Sequence, residues 1–174
     1  METAVLGAGC FWCVEAVFKE VRGVVSVTPG FCNGRTRNPS YKEVCTGTTG
    51  HNEVARIVFD PAVVSFGNLL EVFWGTHDPT TLNRQGEDVG EQYRSGIYYL
   101  NESQRTTAEA MKQALDASGA FDAPIVTEVV PLDEFFPAEN YHHDYYAHNP
   151  DQGYCRLVIR PKLEKFRKVF ASMR

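Results

Sequence analysis

Cys10 and Cys13 bracket a Cys-Phe-Trp-Cys tetrapeptide that follows Gly7-Ala8-Gly9. A free thiol titrates near pH ~8.5, so only a few per cent is the reactive thiolate at neutral pH. Val14, Val17, Phe18 and Val21 recur at helical spacing after the tetrapeptide, Gly23 stops the pattern, and Ala4-Val5-Leu6 precedes it. The reading is strand, glycine turn, helix, with Cys10 at the helix N-terminus, where unpaired N–H groups favour an anion. A Cys-x-x-Cys so placed points to thiol chemistry and admits three readings: a thioredoxin-like dithiol, half of a zinc site, or a nucleophile with a resolving thiol nearby. Zinc requires four ligands. No second Cys-x-x-Cys exists, and Cys32 and Cys45 lie 13 apart.

Two polar stretches supply partners. Residues 29 to 52 lead into Glu53 and hold Tyr41 and His51, and His77 to Gln92 hold Asp78, Glu87 and Asp88, with Tyr93 following. Phenols, imidazoles and carboxyls are suited to donate to an oxygen-bearing substrate, while Phe11 and Trp12 can wall off a small alkyl group. The run Tyr141-His142-His143-Asp144-Tyr145-Tyr146 has metal-binding residue types. Adjacent histidines on a helix point about 100° apart, so structural hydrogen bonding is the expectation there.

The elements that must position these groups alternate along the chain. Strands are expected at Val24–Thr28, Glu53–Asp60, Ser95–Leu100, Ile125–Val130 and Tyr154–Ile159. Ser65 and Asn101 are placed to cap helices, the second ending before Gly119; further helices are expected at Ala138–His148 and from Pro161 onward. The uneven connections favour an α+β two-layer sandwich, with a ferredoxin-like core, a mixed sheet and extended polar loops, as one catalytic domain over 1–174.

With 174 residues and a formal charge of −5, the composition is that of an ordinary globular protein. A pI near 5.5 with no evident basic cluster argues against a nucleic-acid partner. No apolar run approaches the ~20 residues that span a bilayer, and no signal peptide is visible. Five cysteines at uneven spacing fit a reducing, cytoplasmic compartment better than a disulfide-stapled secreted domain.

Several further segments stand in a fixed order: Gly9-Cys10-Phe11-Trp12, Asn38-Pro39-Ser40-Tyr41, Glu43-Val44-Cys45, Thr49-Gly50-His51-Asn52-Glu53-Val54, His77-Asp78-Pro79-Thr80-Thr81, Arg84 through Gly90, Gln92-Tyr93-Arg94-Ser95 and Gly153-Tyr154-Cys155. Over nearly the whole chain this resembles the peptide-methionine (S)-S-oxide reductases, the A class of methionine sulfoxide reductase. The resemblance implies that Cys10 attacks the sulfoxide sulfur. Glu53 then protonates or hydrogen-bonds the departing oxygen, Tyr41 and Tyr93 hold it, Asp88 organises the polar side, and Phe11 and Trp12 receive the methyl group. A sulfenic acid on Cys10 would be resolved to a disulfide, with Cys155 the favoured partner and Cys13 the alternative or a second relay. Cys13 is itself a departure, since glycine often stands there. Pro29-Gly30-Phe31-Cys32 is a second, and Cys32 is taken as incidental. Cys45 is expected to be a buried structural thiol, and a longer relay through a distal glycine-rich cysteine tail is excluded. The implied substrate is methionine S-sulfoxide, free or in oxidised proteins. Thioredoxin is the implied reductant, with no metal or organic cofactor, no membrane or nucleic acid, and a monomeric state.

Overall fold

The computed structural model describes residues 1–174. Its frame is a β-α-β unit, β1 (Glu2–Ala8), α1 (Phe11–Phe18) and β2 (Val24–Cys32), followed after α2 (Tyr41–Cys45) by a second, β3 (Asn52–Phe59), α3 (Phe66–Gly75) and, beyond the short hairpin strands β4 (Arg84–Gln85) and β5 (Asp88–Val89), β6 (Ser95–Tyr99). Then come α4 (Glu102–Ala117), β7 (Glu128–Pro131), β8 (Phe135–Pro137), α5 (Tyr145–His148) and α6 (Arg160–Val169). The sheet order is β7-β6-β1-β3-β2-β8. The inner four strands, β6-β1-β3-β2, are antiparallel neighbours, the ferredoxin-like arrangement the sequence predicts. Parallel pairing of β6 with β7 makes the sheet mixed.

Strand alternation sorts the side chains. Ala4, Leu6 and Ala8 of β1 and Ala55, Ile57 and Phe59 of β3 join one core with Val14, Val17 and Phe18 of α1, Leu69, Leu70 and Phe73 of α3, and Leu163 and Phe166 of α6. Each fully buried Leu or Phe contributes on the order of 1.5–3 kcal/mol. Val5, Val54, Cys32 and Tyr98 form a smaller cluster separate from it. Ser65 caps α3 through a reciprocal pair with Asn68, and Asn101 caps α4 by accepting from the Gln104 amide at 2.9 Å. No helix is long and apolar enough to cross a membrane.

Several expected boundaries move. β2 continues through Pro29-Gly30 to Cys32 because β8 pairs with its end, Gly30 opposite Pro137. Pairing of β7 begins only at Glu128. The expected helix Ala138–His148 is two short turns, Asn140–His142 and α5, separated by Asp144 in a left-handed conformation at φ 57°. Tyr154–Ile159 is no strand. It is helical, a π-turn at Cys155–Ile159 running into α6, and both sheet edges are already taken by β7 and β8. A basic cluster does exist: α6 carries Arg160, Lys162, Lys165, Arg167 and Lys168 against a single acid, Glu164.

Candidate active site

Cys10 sits where β1 ends, as the residue that caps α1, and is 6% exposed. Gly9 makes that junction at φ +90°; a Cβ there would meet Cγ of Gln85 at 2.7 Å, so glycine is required both sterically and conformationally. One helical turn on, the Cys13 amide donates to the Cys10 carbonyl at 3.0 Å, holding both thiols on one stretch of backbone.

β3 brings Glu53 to the start of the same helix. Its side chain is fully buried, Oε1 accepts from the Phe11 amide at 3.3 Å, and Oε2 has no partner. Burial pushes the carboxyl up to about 8, against the opposing pull of the Phe11 hydrogen bond. The group is therefore mostly protonated near neutral pH, with one oxygen free to donate. Tyr41, the first residue of α2, and Tyr93, in the turn before β6, both have phenols raised by burial and next by the Glu53 carboxyl. Both are neutral donors at any physiological pH. The capping box of Ser40 and Glu43 fixes α2, and with it Tyr41.

Trp12 is half-buried and forms an aromatic wall. It stacks on Tyr145 at 3.8 Å between ring centres, and its Nε1 donates to Nδ1 of His142 at 3.0 Å. The Tyr41 ring lies 4.4 Å from that imidazole. Phe11 is fully buried and points into the fold against Phe31, Val44 and Ala138, so its contact with the Glu53 carboxyl is made by its amide. His143 uses Nε2 on the Ala138 carbonyl at 3.0 Å; both histidines of the run thus make hydrogen bonds within the fold. No three His, Cys, Asp or Glu side chains converge as a metal-binding group.

Cys10, Cys13, Cys155 and Ile159 pack as one cluster, and all five cysteines are free thiols. The Tyr154 hydroxyl donates to Oδ2 of Asp88 at 2.6 Å and lies 3.8 Å from Sγ of Cys13. The expectation that a helix N-terminus makes Cys10 the acidic thiol is overturned. Burial raises it well above an ordinary cysteine, as do Cys13 and Glu53. Its partner Cys13 is lowered, first by the hydrogen bond from Cys10. Cys155 is also raised by burial. Cys45 is exposed rather than buried, because α2 turns Val44 inward instead. Cys32 is buried in the smaller cluster with Val5, Val54 and Tyr98, its thiol pushed far up by burial.

Cys10, Phe11, Trp12, Cys13, Tyr41, Glu53, Asp88, Tyr93 and Cys155 gather around the start of α1. His51 is instead held by the Thr36 carbonyl and His77 by the Phe73 carbonyl and Ser95, Cys45 borders Tyr41, and Cys32 lies apart. Tyr154, His142 and Tyr145 were not singled out. Adjacency to Cys155 was the available signal for the first, and the aromatic run at 141–146 for the others.

The family model for "Peptide methionine sulfoxide reductase" matches residues 2–174. The chain is similar to the peptide methionine sulfoxide reductase MsrA of Chromobacterium violaceum, at 54% identity over 99% of this chain and 98% of that one. Among solved structures it is similar to methionine sulfoxide reductase A of Corynebacterium diphtheriae, at TM-score 0.84 and 39% identity, covering 90% of this chain and 78% of that one. Yeast Mxr1 in reduced form is similar at TM-score 0.83 and 32% identity, covering 88% of each chain. The same yeast protein in complex with Trx2 shares the fold at TM-score 0.59 and 20% identity, covering 83% of this chain and 84% of that one. With a family match that spans the chain and relatives above half identity over almost all of it, this chain belongs to the peptide methionine sulfoxide reductase family, its A class.

Proposed function

We propose that this chain, as one catalytic domain over 1–174, reduces the S epimer of methionine sulfoxide, free or in oxidised proteins, to methionine. The observation that carries the reading is Glu53, a fully buried and mostly protonated carboxyl, tied by Oε1 to the amide that follows Cys10 and with Oε2 unpartnered. A sulfoxide oxygen leaves poorly unless the charge building on it is neutralised. Glu53 supplies the proton and Tyr41 and Tyr93 supply neutral donors, each worth ~3 kcal/mol by analogy with oxyanion holes. Trp12, held by His142 and Tyr145, receives the methyl group, and the fully buried Phe11 packs behind Tyr41 and His142.

In the reaction Sγ of Cys10 attacks the sulfoxide sulfur, the oxygen passes to Cys10, and methionine leaves. The thiol proton balances the one that Glu53 delivers, leaving a sulfenic acid on Cys10. A second thiol, Cys155 or Cys13, both in the same buried cluster as Cys10, condenses with it to a disulfide and water. Asp88, fixed by Tyr154, orders the polar side beside these thiols. A protein disulfide is recycled by a dithiol reductant, here assigned to thioredoxin. Yeast Mxr1, a relative, forms a complex with Trx2. A monomer in the cytoplasm, needing no metal or organic cofactor, completes the reading.

The test is a single turnover of pre-reduced protein, without external reductant, on separate S and R epimers of a blocked methionine sulfoxide. About one methionine per chain, from the S epimer alone, is expected, and none from Cys10→Ser even with excess dithiothreitol. No methionine from either epimer, or substantial turnover by Cys10→Ser, overturns the reading.

A further inference from the structure

Lys162, in the first turn of α6, makes no ion pair. It is half-buried and, with Cys13, lines a small cavity whose other walls are Ala8, Val14, Val17, Phe18 and Thr76. Those walls are almost entirely apolar, so a charge at the cavity is poorly screened and acts on its neighbour more strongly than at the surface. The groups that face Cys13 come from five places: Cys10 on its own helix, Glu53 on β3, Asp88 on β5, Tyr154 and Cys155 on the C-terminal segment, and Lys162 on α6. Lys162 is the one cation among them. The Asp88 carboxylate opposes a thiolate at Cys13, but its Oδ2 is engaged by the Tyr154 hydroxyl. Arg160, the cation that acts on Cys155, is already paired with Asp151 and hydrogen-bonded to the Pro150 carbonyl.

We propose that Lys162 is a positioning residue that holds Cys13 as the resolving thiolate, so that the Cys10 sulfenic acid closes first onto Cys13 and only then passes its disulfide to Cys155. The proposal rests on the reductase reading above and reverses the preference for Cys155 as first resolver. The chemistry balances without a further reagent. The Cys13 thiolate attacks the Cys10 sulfur, the Cys10 S–O bond breaks, and hydroxide takes up the proton released when Cys13 ionised and leaves as water. Cys10 is reduced and Cys13 oxidised as the S–S bond forms. The Cys155 thiolate then attacks the Cys13 sulfur, giving a Cys13–Cys155 disulfide and freeing Cys10. Two observations agree with this order. The Cys10 and Cys13 thiols lie one helical turn apart on shared backbone, and of the three clustered thiols Cys13 alone is lowered, first by the hydrogen bond from Cys10 and then by the Lys162 charge.

The experiment is a single turnover on the S epimer, quenched in acid at successive times, with each disulfide mapped by mass spectrometry at pH values from 6 to 9. The wild-type chain should show Cys10–Cys13 before Cys13–Cys155. Lys162→Met should slow formation of Cys10–Cys13 about tenfold at pH 7 and move its pH profile to the alkaline side by about one unit, with rates converging near pH 9. Lys162→Arg should restore the wild-type profile, which a merely space-filling role would not require. Lys162→Gln repeats the test if methionine disturbs α6. A Cys10–Cys155 disulfide appearing first in the wild type, or a pH profile that Lys162→Met and Lys162→Gln leave in place, overturns the proposal. The methionine burst in the same samples reports separately on the reductase reading, because it precedes any disulfide.

Discussion

The amide of Phe11 and Oε1 of Glu53 are joined by a 3.3 Å hydrogen bond across 42 residues of sequence. That bond ties the start of the helix that presents Cys10 to the strand that presents the acid, so nucleophile and proton donor keep a fixed separation. It also occupies only one carboxyl oxygen. The other is buried and makes no hydrogen bond within the protein, which leaves it free to donate to a substrate oxygen.

Glu53→Gln separates the proton from the shape. Glutamine keeps an acceptor for the Phe11 amide but has no acidic proton to deliver, so the rate of sulfoxide reduction should fall by ~10²–10⁴-fold with the fold intact. Rapid-quench counting of methionine checks this, and a rate within a few-fold of wild type would remove Glu53 from its role.

The same residue sets a pH dependence of opposite sense to that of a salt-bridged carboxylate. Its pKa is raised in the folded chain, from 4.5 to about 8. Below 4.5 both states are protonated and folding incurs no penalty. Between 4.5 and 8 the unfolded chain ionises while the folded one holds its proton, so stability falls as pH rises and levels off above 8. At about 1.4 kcal/mol per pH unit, the difference reaches on the order of 3 kcal/mol at pH 7. Glu53→Gln should therefore unfold at higher denaturant than wild type at pH 7, and the gap should close near pH 4. Methionine formation in the wild type should decline as pH passes about 8, a limb that Glu53→Gln lacks. A gap that does not change with pH would contradict the buried, protonated assignment.

How far the sequence carries depends on whether a signal is local. Ser65 and Asn101 were legible as caps because a cap is decided within four residues, and both make the expected bonds. The strand-glycine-helix placement of Cys10 was legible for the same reason. Tyr154–Ile159 was misread because Tyr, Leu, Val and Ile favour strands in isolation, while the fold leaves no sheet edge for them and rewards burying Cys155 and Ile159 against Cys10 and Cys13. The acidity of Cys10 was misjudged because the helix terminus is a local effect and burial is not. Lys162 was invisible as a partner of Cys13, since nothing in their spacing brings α6 behind α1.

Trp12→Phe tests the wall of the methyl pocket. Phenylalanine retains an aromatic face for Tyr145 but removes the Nε1 donor, leaving His142 without its ring partner on Nδ1, while Nε2 is already buried and unpartnered. The indole would no longer be held in register, so KM for the sulfoxide should rise several-fold while kcat falls less. Steady-state kinetics with dithiothreitol as reductant separates the two, and an unchanged KM would mean the Trp12–His142 bond does not shape the pocket.

Tyr154→Phe isolates the hydroxyl that joins the C-terminal segment to the β4–β5 hairpin. The ring's edge contact with Trp12, at 5.8 Å and 75°, survives the change; the 2.6 Å bond to Asp88 does not. Hydrogen bonds to charged groups are worth about 1.5–3 kcal/mol, and Asp88 is partly exposed, so water recovers some of the loss. A destabilisation of about 1–2 kcal/mol by urea unfolding, with unchanged m, is expected. Because the residue precedes Cys155, loosening it should also slow appearance of the Cys13–Cys155 disulfide, read in the same quenched samples. Wild-type stability together with wild-type disulfide kinetics would show that Asp88 finds an equivalent partner in water, and that packing of Cys155 and Ile159 alone holds the segment over the thiols.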